Sequence, residues 1–225
     1  MTEMSDILRL MNQAFRDEPF HTLGMLYGAD VAGQLSGGTC SDKTLSFLDA
    51  SRAAGINARL WTAFIGGKEI HRLVCLTLAG RSYFADVGNG WPSLLPYPVD
   101  EPIIYERFGM TFRSEISDDR LSIFHKKDGM EYLQMEIMLF PRSEEEIMSE
   151  IENRFTSGTT YPFENRMRFS AVVENEFRFL RDNQILIYDD SGLKNRILIS
   201  ENQMETVISE YFRCTVDLSA KKRDV

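Results

Sequence analysis

The spacing of hydrophobic positions changes character along this chain. Between residues 5 and 15 (SDILRLMNQAF), Ile7, Leu8, Leu10, Met11 and Phe15 recur near helical spacing, which predicts a helix capped by Ser5. From Cys40 to Ala54, Phe47, Ala50 and Ala54 share one stripe with Leu48 beside it, and Gly55 supplies a stop. The stretch 21–37 between them holds several glycines and reads as turns and short helix. The pattern then becomes β-like. Residues 58–66, 70–79 and 82–87 are apolar, β-favouring runs separated by GGK and GR turns, and they predict a meander. Further strands are expected at 110–115, 120–126 and 131–139, with Asp128-Gly129 as a hairpin turn. Ser143 and Glu146 have the spacing of a capping box that opens a helix running to residue 154. Strand-like runs follow at 166–174, 177–181, 184–188 and 194–199, then a last helix over 201–213. Helices, then strands, then a helix with a smaller sheet favour an α+β class over alternating βαβ units. No internal repeat or low-complexity linker interrupts the sequence.

Composition narrows the function. A chain of 225 residues with 43% hydrophobic and 11% aromatic residues can bury a substantial core. The net charge of −9 and pI near 5.0 argue against non-specific binding to nucleic acid or an acidic membrane, and the tail KKR (221–223) is too short to change that. No run approaches the roughly 20 apolar residues a membrane helix needs. The start MTEMSDILRLMNQ does not read as a secretory leader. Three cysteines without CxxC spacing support neither a disulfide framework nor a zinc site, so no metal is expected and a reducing cytoplasm fits. The fingerprints GxGxxG and GxxxxGK are absent, and no tightly bound cofactor is expected.

Against that background three segments stand out: GGTCSDK (37–43), EIHRLVCL (69–76) and YFADVGNG (83–90). Cys40 opens the second helix, where unpaired N–H groups and the dipole lower a thiol pKa and where the Cys40 N–H can hold an oxyanion. The paired glycines before it let the backbone turn sharply and approach a substrate. His71 begins one strand and Asp86 ends the next. A tight Gly80-Arg81 turn between those strands makes them antiparallel, which sets His71 level with Asp86 or just beyond it. A thiol, an imidazole and an orienting carboxylate are the parts of nucleophilic acyl transfer. Cys75 lies in the apolar run RLVCLTL and reads as core, and Cys214 has no evident partner. His21 and His125 read as structural, SEEEIMSEIE (143–152) as a solvated helix face, and the eleven methionines as filler.

These segments resemble the arylamine N-acetyltransferases, which carry Gly-Gly-x-Cys, a histidine before an apolar strand, and Asp-x-Gly-x-Gly. Here those are Gly37-Gly38-Thr39-Cys40, His71-Arg72-Leu73-Val74 and Asp86-Val87-Gly88-Asn89-Gly90. Met11-to-Leu23, with its Pro-Phe turn, and Asn153-Arg154-Phe155-Thr156-Ser157 followed by Pro162-Phe163 extend the likeness over nearly the whole chain. The resemblance implies a helical bundle (1–57) carrying the nucleophile, an antiparallel β-barrel (58–142) carrying the histidine and aspartate, and an α/β lid (143–225), with a core like that of cysteine proteases and transglutaminases. It implies a ping-pong reaction in which Cys40 takes an acyl group from acetyl-CoA or another acyl-CoA co-substrate, His71 acts as base and Asp86 fixes its tautomer. It also implies that Gly88, Asn89 and Gly90 lie near the coenzyme or acceptor and that Ile70 lines the acyl pocket.

The sequence departs from the family pattern at Ser36, Thr39, Ser41, Asp42 and Asn89, and at His21-Thr22 after the Pro-Phe turn. It is also shorter than typical members. Those positions support the triad and its pocket, so several readings of the acceptor stay open. One is transfer to a small-molecule amine, with the acyl group delivered by acyl-CoA or an acyl carrier protein. Others are amide synthesis in secondary metabolism, a thiol hydrolase or transglutaminase-like reaction on the same triad, and an inactive binding homologue.

Overall fold

The computed structural model describes residues 3–154, 161, 163 and 165–219. Phe155, Thr156, Ser157 and Pro162, which carry part of the family resemblance, lie outside the described residues. Helix α1 (Met4–Asp17) buries Ile7, Met11, Ala14 and Phe15. Its cap is Glu3 and not Ser5. The Glu3 and Asp6 side chains bond reciprocally to backbone N–H groups at the helix start, where a carboxylate also complements the dipole. The chain continues through β1 (Phe20–His21) and the one-turn helices α2 (Leu23–Leu26) and α3 (Ala29–Ala32) to helix α4 (Cys40–Ala53). The buried face of α4 is not the alanine stripe. Ala50 and Ala54 are exposed, whereas Cys40, Ser41, Lys43, Thr44, Phe47, Leu48 and Ser51 are buried. An inner face so rich in polar residues blunts the hydrophobic period from which the stripe is drawn.

Strands β2 (Asn57–Ile65), β3 (Lys68–Leu78), β4 (Arg81–Ala85), β5 (Tyr97–Pro98), β6 (Ile104–Arg107), β7 (Met110–Ser117), β8 (Arg120–Lys127) and β9 (Met130–Met138) form one antiparallel sheet. Its order is β5-β4-β3-β2-β9-β8-β7-β6. The loops Gly66-Gly67 and Asp128-Gly129 place two successive residues at positive φ, as two-residue hairpins require. The turn after β3 falls at Ala79-Gly80, one residue earlier than Gly80-Arg81, because Arg81 pairs with Leu78. The sheet is curled, and among the described residues no backbone pairing joins β5 to β6. Side chains bring those edges together. The rings of Tyr97 and Tyr105 lie 6.4 Å apart, and Ser93 Oγ donates to Tyr97 Oη at 2.9 Å. The antiparallel β-barrel implied by the resemblance corresponds to this curled antiparallel sheet.

Helix α5 (Glu144–Glu152) starts at Ser143, but the expected capping box with Glu146 is not formed. Glu144 takes the structural role instead. Both of its oxygens accept from Nη2 of Arg52 on α4 (2.9 and 2.8 Å), and one of them also accepts from the Leu60 N–H at 2.7 Å. Strands β10 (Arg168–Val173), β11 (Glu176–Arg181), β12 (Gln184–Asp189) and β13 (Gly192–Leu198) join β1 in a second antiparallel sheet, ordered β1-β10-β11-β12-β13. The predicted last helix divides into a 3₁₀ turn (Glu201–Gln203) and α6 (Met204–Phe212). One apolar core runs from Ile7 and Met11 through Phe47, Leu60 and Val74 to Phe177, Phe179 and Tyr188, so helices and both sheets share it. The β12–β13 turn seats on the β6–β7 turn. Asp190 accepts from the Phe108 N–H at 3.1 Å and from Arg107 at 2.9 Å. No helix among the described residues is long and apolar enough to cross a membrane.

Two buried histidines make this core acid-sensitive. His125 stacks on Phe112 (4.6 Å, 6°) and touches Trp91 (5.1 Å). Burial, then Lys127, lowers its pKa to about 3. Burial likewise lowers His21 to about 4. A histidine depressed from 6.5 contributes stability that is fully present above the unfolded value and is lost as pH falls towards the folded one. Urea unfolding between pH 6.5 and 4 should therefore show stability dropping. His125→Phe, which keeps the stacked shape, should flatten that limb by roughly 1.4 kcal/mol per pH unit. Parallel pH profiles for the two proteins would refute the assignment.

Candidate active site

The start of α4 is built to hold a thiol. Thr39 caps the helix, and Asp42 accepts both the Thr39 N–H (2.9 Å) and its hydroxyl (2.7 Å) through Oδ2. Arg154 bonds the other oxygen of Asp42 at 2.7 Å. Gly37 and Gly38 both adopt positive φ. They admit protein instead of substrate: a Cβ on Gly37 would fall 2.2 Å from Pro19 O, and one on Gly38 would fall 2.7 Å from Asp42 Oδ2. This arm bridges to β1 through the His21 N–H and Gly38 O at 2.9 Å.

The β3–β4 hairpin delivers the imidazole and the acid. Continuing the Val74–Ala85 pairing past β4 sets His71 just beyond Asp86, and His71 Nε2 meets Asp86 Oδ1 at 2.8 Å. The same oxygen accepts the Asn89 N–H at 3.1 Å, and Asn89 Oδ1 in turn accepts the Trp91 N–H at 3.1 Å. The loop after β4 is thus wound around a fully buried carboxylate. With Nε2 engaged by Asp86, His71 also interacts with the Cys40 thiol by hydrogen bond and charge, and the sulfur lies 3.9 Å from Ile70 O.

The electrostatics single out one cysteine. Burial pushes the Cys40 thiol up, but the hydrogen bond to His71 and the charges of His71 and Arg72 outweigh it, leaving its pKa below the ordinary thiol value. Burial opposes the charge on His71 as well, yet Asp86, by charge and hydrogen bond, with Cys40 behind it, raises it to about 10. Both shifts move the proton from the sulfur towards the ring, in the direction of a thiolate–imidazolium pair. Cys75, by contrast, is pushed up to about 11 by burial, and burial also raises Cys214.

Several further residues hold these groups in place. Thr44 Oγ1 donates to Arg72 O at 2.9 Å, tying α4 to β3 between the thiol and the imidazole. Arg72 donates to His71 O at 3.0 Å and pairs with Glu150 of α5 at 2.9 Å. Beneath α4, the buried ammonium of Lys43 donates to the carbonyls of Ala14 and Glu18, and burial pulls its pKa to about 7 against the attraction of Glu18 and Asp86. Gly88 lies flat against the nucleophile helix. A Cβ there would fall 2.8 Å from Cys40 O and 2.9 Å from Thr44 Oγ1. Gly88→Ala should push the Asp86 loop off α4 and lower kcat about 10²-fold with a smaller change in KM, as displacements near 1 Å do. Steady-state kinetics at wild-type level would contradict this.

A cavity of about 190 Å³ opens at the sulfur, with Cys40, His71, Ile70, Gly88, Asn89 and Gly90 on its wall. Six of the seven residues singled out by sequence line this cavity, and the seventh, Asp86, stands behind it on His71. Among the described residues the rest of the wall is mostly aromatic, from Phe20, Trp91, Tyr161, Phe163 and Phe179, with Ile65 and the guanidinium of Arg168. Trp91 directly follows Gly88-Asn89-Gly90 and could have been flagged by its position. Phe20, Arg168 and Phe179 come from β1, β10 and β11, which no local motif links to the thiol.

A family model described as N-acetyltransferase matches residues 51–222, a span that includes His71 and Asp86 and begins after Cys40. No curated protein matches the sequence. Solved structures do. The arylamine N-acetyltransferase of Nocardia farcinica is 20% identical with a TM-score of 0.79, covering 96% of this chain and 84% of that one. The Mycobacterium marinum arylamine N-acetyltransferase in complex with CoA is 14% identical with a TM-score of 0.77, covering 94% and 87%. The Bacillus cereus arylamine N-acetyltransferase described with a Cys-His-Glu catalytic triad is 15% identical with a TM-score of 0.73, covering 96% and 92%. At these identities the structures establish a shared α+β fold with its curled antiparallel sheet, while the family model covers well over half of the sequence. The chain belongs to the arylamine N-acetyltransferase family, and it is an acetyltransferase.

Proposed function

We propose that the protein moves an acyl group from acyl-CoA to an amine through a thioester on Cys40. The observation that carries this reading is the unbroken relay of thiol, imidazole and carboxylate at the wall of an aromatic cavity. The Cys40 thiolate attacks the thioester carbonyl carbon. The coenzyme thiolate leaves and takes the proton of the His71 imidazolium, which leaves acyl-Cys40 and a neutral ring. The amine then attacks the acyl carbon and gives its proton to His71 as the Cys40 thiolate departs. The amide is released and the ion pair is restored. Asp86 holds the ring in the tautomer that faces sulfur and stabilises the imidazolium.

In this reading residues 1–57 supply the nucleophile, 58–142 the base and its acid, and 143–225 a cover over the cavity. Ile70 lines the acyl end, and Gly88, Asn89 and Gly90 border the coenzyme or acceptor. The CoA complex of the Mycobacterium marinum enzyme supports acyl-CoA as donor. The Bacillus cereus enzyme, described with a Cys-His-Glu catalytic triad, supports a cysteine–histidine–acid relay.

The test is intact-mass spectrometry after mixing with a panel of acyl-CoA thioesters and acyl carrier proteins. The expected result is an acetyl adduct on Cys40 that amines discharge faster than water does. Discharge at the same rate without amine would make the protein a hydrolase, and no adduct from any donor would overturn the reading.

A further inference from the structure

Lys127 ends β8, beside the Asp128-Gly129 turn, and is half-buried. Among the described residues its ammonium has no ion pair and no hydrogen bond, and its contacts are aromatic rings. The centroid of the Trp91 ring lies 3.1 Å from Nζ, and that of Tyr132 on β9 lies 5.9 Å away. The surrounding charges give little help. Burial lowers the pKa of Lys127 from 10.5 to about 8, with Arg181 of β11 adding to the shift and Asp128 opposing it. His125, two residues back on the same strand, is held neutral by burial. A partly desolvated charge without a carboxylate is costly. In a chain of net charge −9 it does not follow from composition. The compensation at this place is the π face of an indole.

Trp91 is where the parts of the site meet. Its ring lines the cavity at the sulfur. It packs on His125 of β8 at 5.1 Å and, from the second sheet, on Phe179 at 4.8 Å, Phe177 at 5.7 Å and Tyr188 at 6.1 Å. Its backbone N–H donates to Asn89 Oδ1, and the Asn89 N–H donates to Asp86 Oδ1, both at 3.1 Å. The main chain of Trp91 is thus tied to the acid of the relay. Among the described residues no hydrogen bond fixes the indole itself, so its orientation is left to packing and to the cation on its face.

We propose that Lys127 is a positioning residue for the transfer: its ammonium clamps the Trp91 indole and so fixes the stretch of cavity wall that follows Gly88-Asn89-Gly90. The kinetic consequence rests on the acyl transfer proposed above, whereas the clamp itself does not. A face contact of this kind asks for charge and not for a particular donor. Arginine can therefore replace the lysine, and methionine, similar in length but uncharged, cannot. The clamp also titrates. It is present while Lys127 is protonated and is released as pH rises through about 8.

The experiment follows tryptophan emission from pH 6 to 10. The wild-type protein should show a step with its midpoint at about 8, and Trp91→Phe should abolish it. Lys127→Arg should hold the low-pH spectrum throughout, and Lys127→Met the high-pH spectrum. Kinetics with acetyl-CoA and 4-methylaniline, an uncharged amine that an ammonium does not attract, give the second readout. Lys127→Met should raise KM for the amine about tenfold with a smaller change in kcat, and Lys127→Arg should restore most of it. A step that persists in Lys127→Met would overturn the proposal. So would a loss confined to KM for acetyl-CoA and reproduced by added salt, which would assign the ammonium to the phosphates of the donor. A wild-type protein without a Trp91 step in this range sinks the clamp whether or not the Lys127 variants fold. If Cys40 takes up no acyl group, the emission titration still decides the clamp, so the two proposals fail separately.

Discussion

Cys40→Ala should fold and melt as the wild type does, take up no acyl group, and lose at least about a thousandfold in kcat, since removing a covalent nucleophile costs that much or more. The substitution deletes one sulfur from a helix whose position does not depend on it. The cap is closed by Thr39 and Asp42, and α4 is anchored by Thr44, Lys43 and Arg52. Intact-mass spectrometry with acyl-CoA, run beside circular dichroism, measures both halves of the expectation. Cys75 and Cys214 make it a strict test, because burial holds both thiols above their ordinary pKa and neither should carry an adduct in the variant. An undiminished adduct would move the chemistry to another residue.

Asp86→Asn should be nearly as damaging, with kcat falling about 10³–10⁴-fold, the scale seen when the acid of such a relay is neutralised. The carboxylate does two things that an amide cannot do together. It accepts from His71 Nε2 at 2.8 Å and from the Asn89 N–H at 3.1 Å, and its charge raises the pKa of the ring. Without that charge His71 holds its proton less tightly, and Cys40 loses the positive neighbour that offsets burial of its thiol. The sign is then fixed. In the wild-type protein Cys40 reacts with iodoacetamide at pH values below the ordinary thiol range; in the variant the midpoint of that reaction shifts upward. A midpoint that stays in place would remove Asp86 from the relay.

The three segments that carry Cys40, His71 and Asp86 were legible because each couples a chemical group to a local backbone signal: a helix start, a strand start and a strand end before glycine. The pairing of His71 with Asp86 was legible too, since a two-residue turn leaves an antiparallel hairpin few registers. The inner face of α4 was not. Lys43 and Thr44 look like a solvated stripe until Ala14, Glu18 and Arg72 arrive from other elements to receive their protons. The cap of α5 was misread for a related reason. Ser143 and Glu146 have the right spacing, but Glu144 finds stronger partners in Arg52 and Leu60, which are distant in sequence. Arg168 and Phe179 had no signal at all, because what makes them part of the site is the seating of the second sheet beside the Gly88-Asn89-Gly90 loop.

Lys43 gives the amino-terminal helix a stake in the reaction. Its ammonium, buried three residues past the sulfur, is satisfied by main-chain oxygens at the end of α1 and just beyond it. Strip that first segment away, by proteolysis or by a shortened expression clone, and the stranded cation must either surrender its proton or draw solvent under the helix that presents the thiol. Reactivity would then decay before the rest of the molecule unravelled.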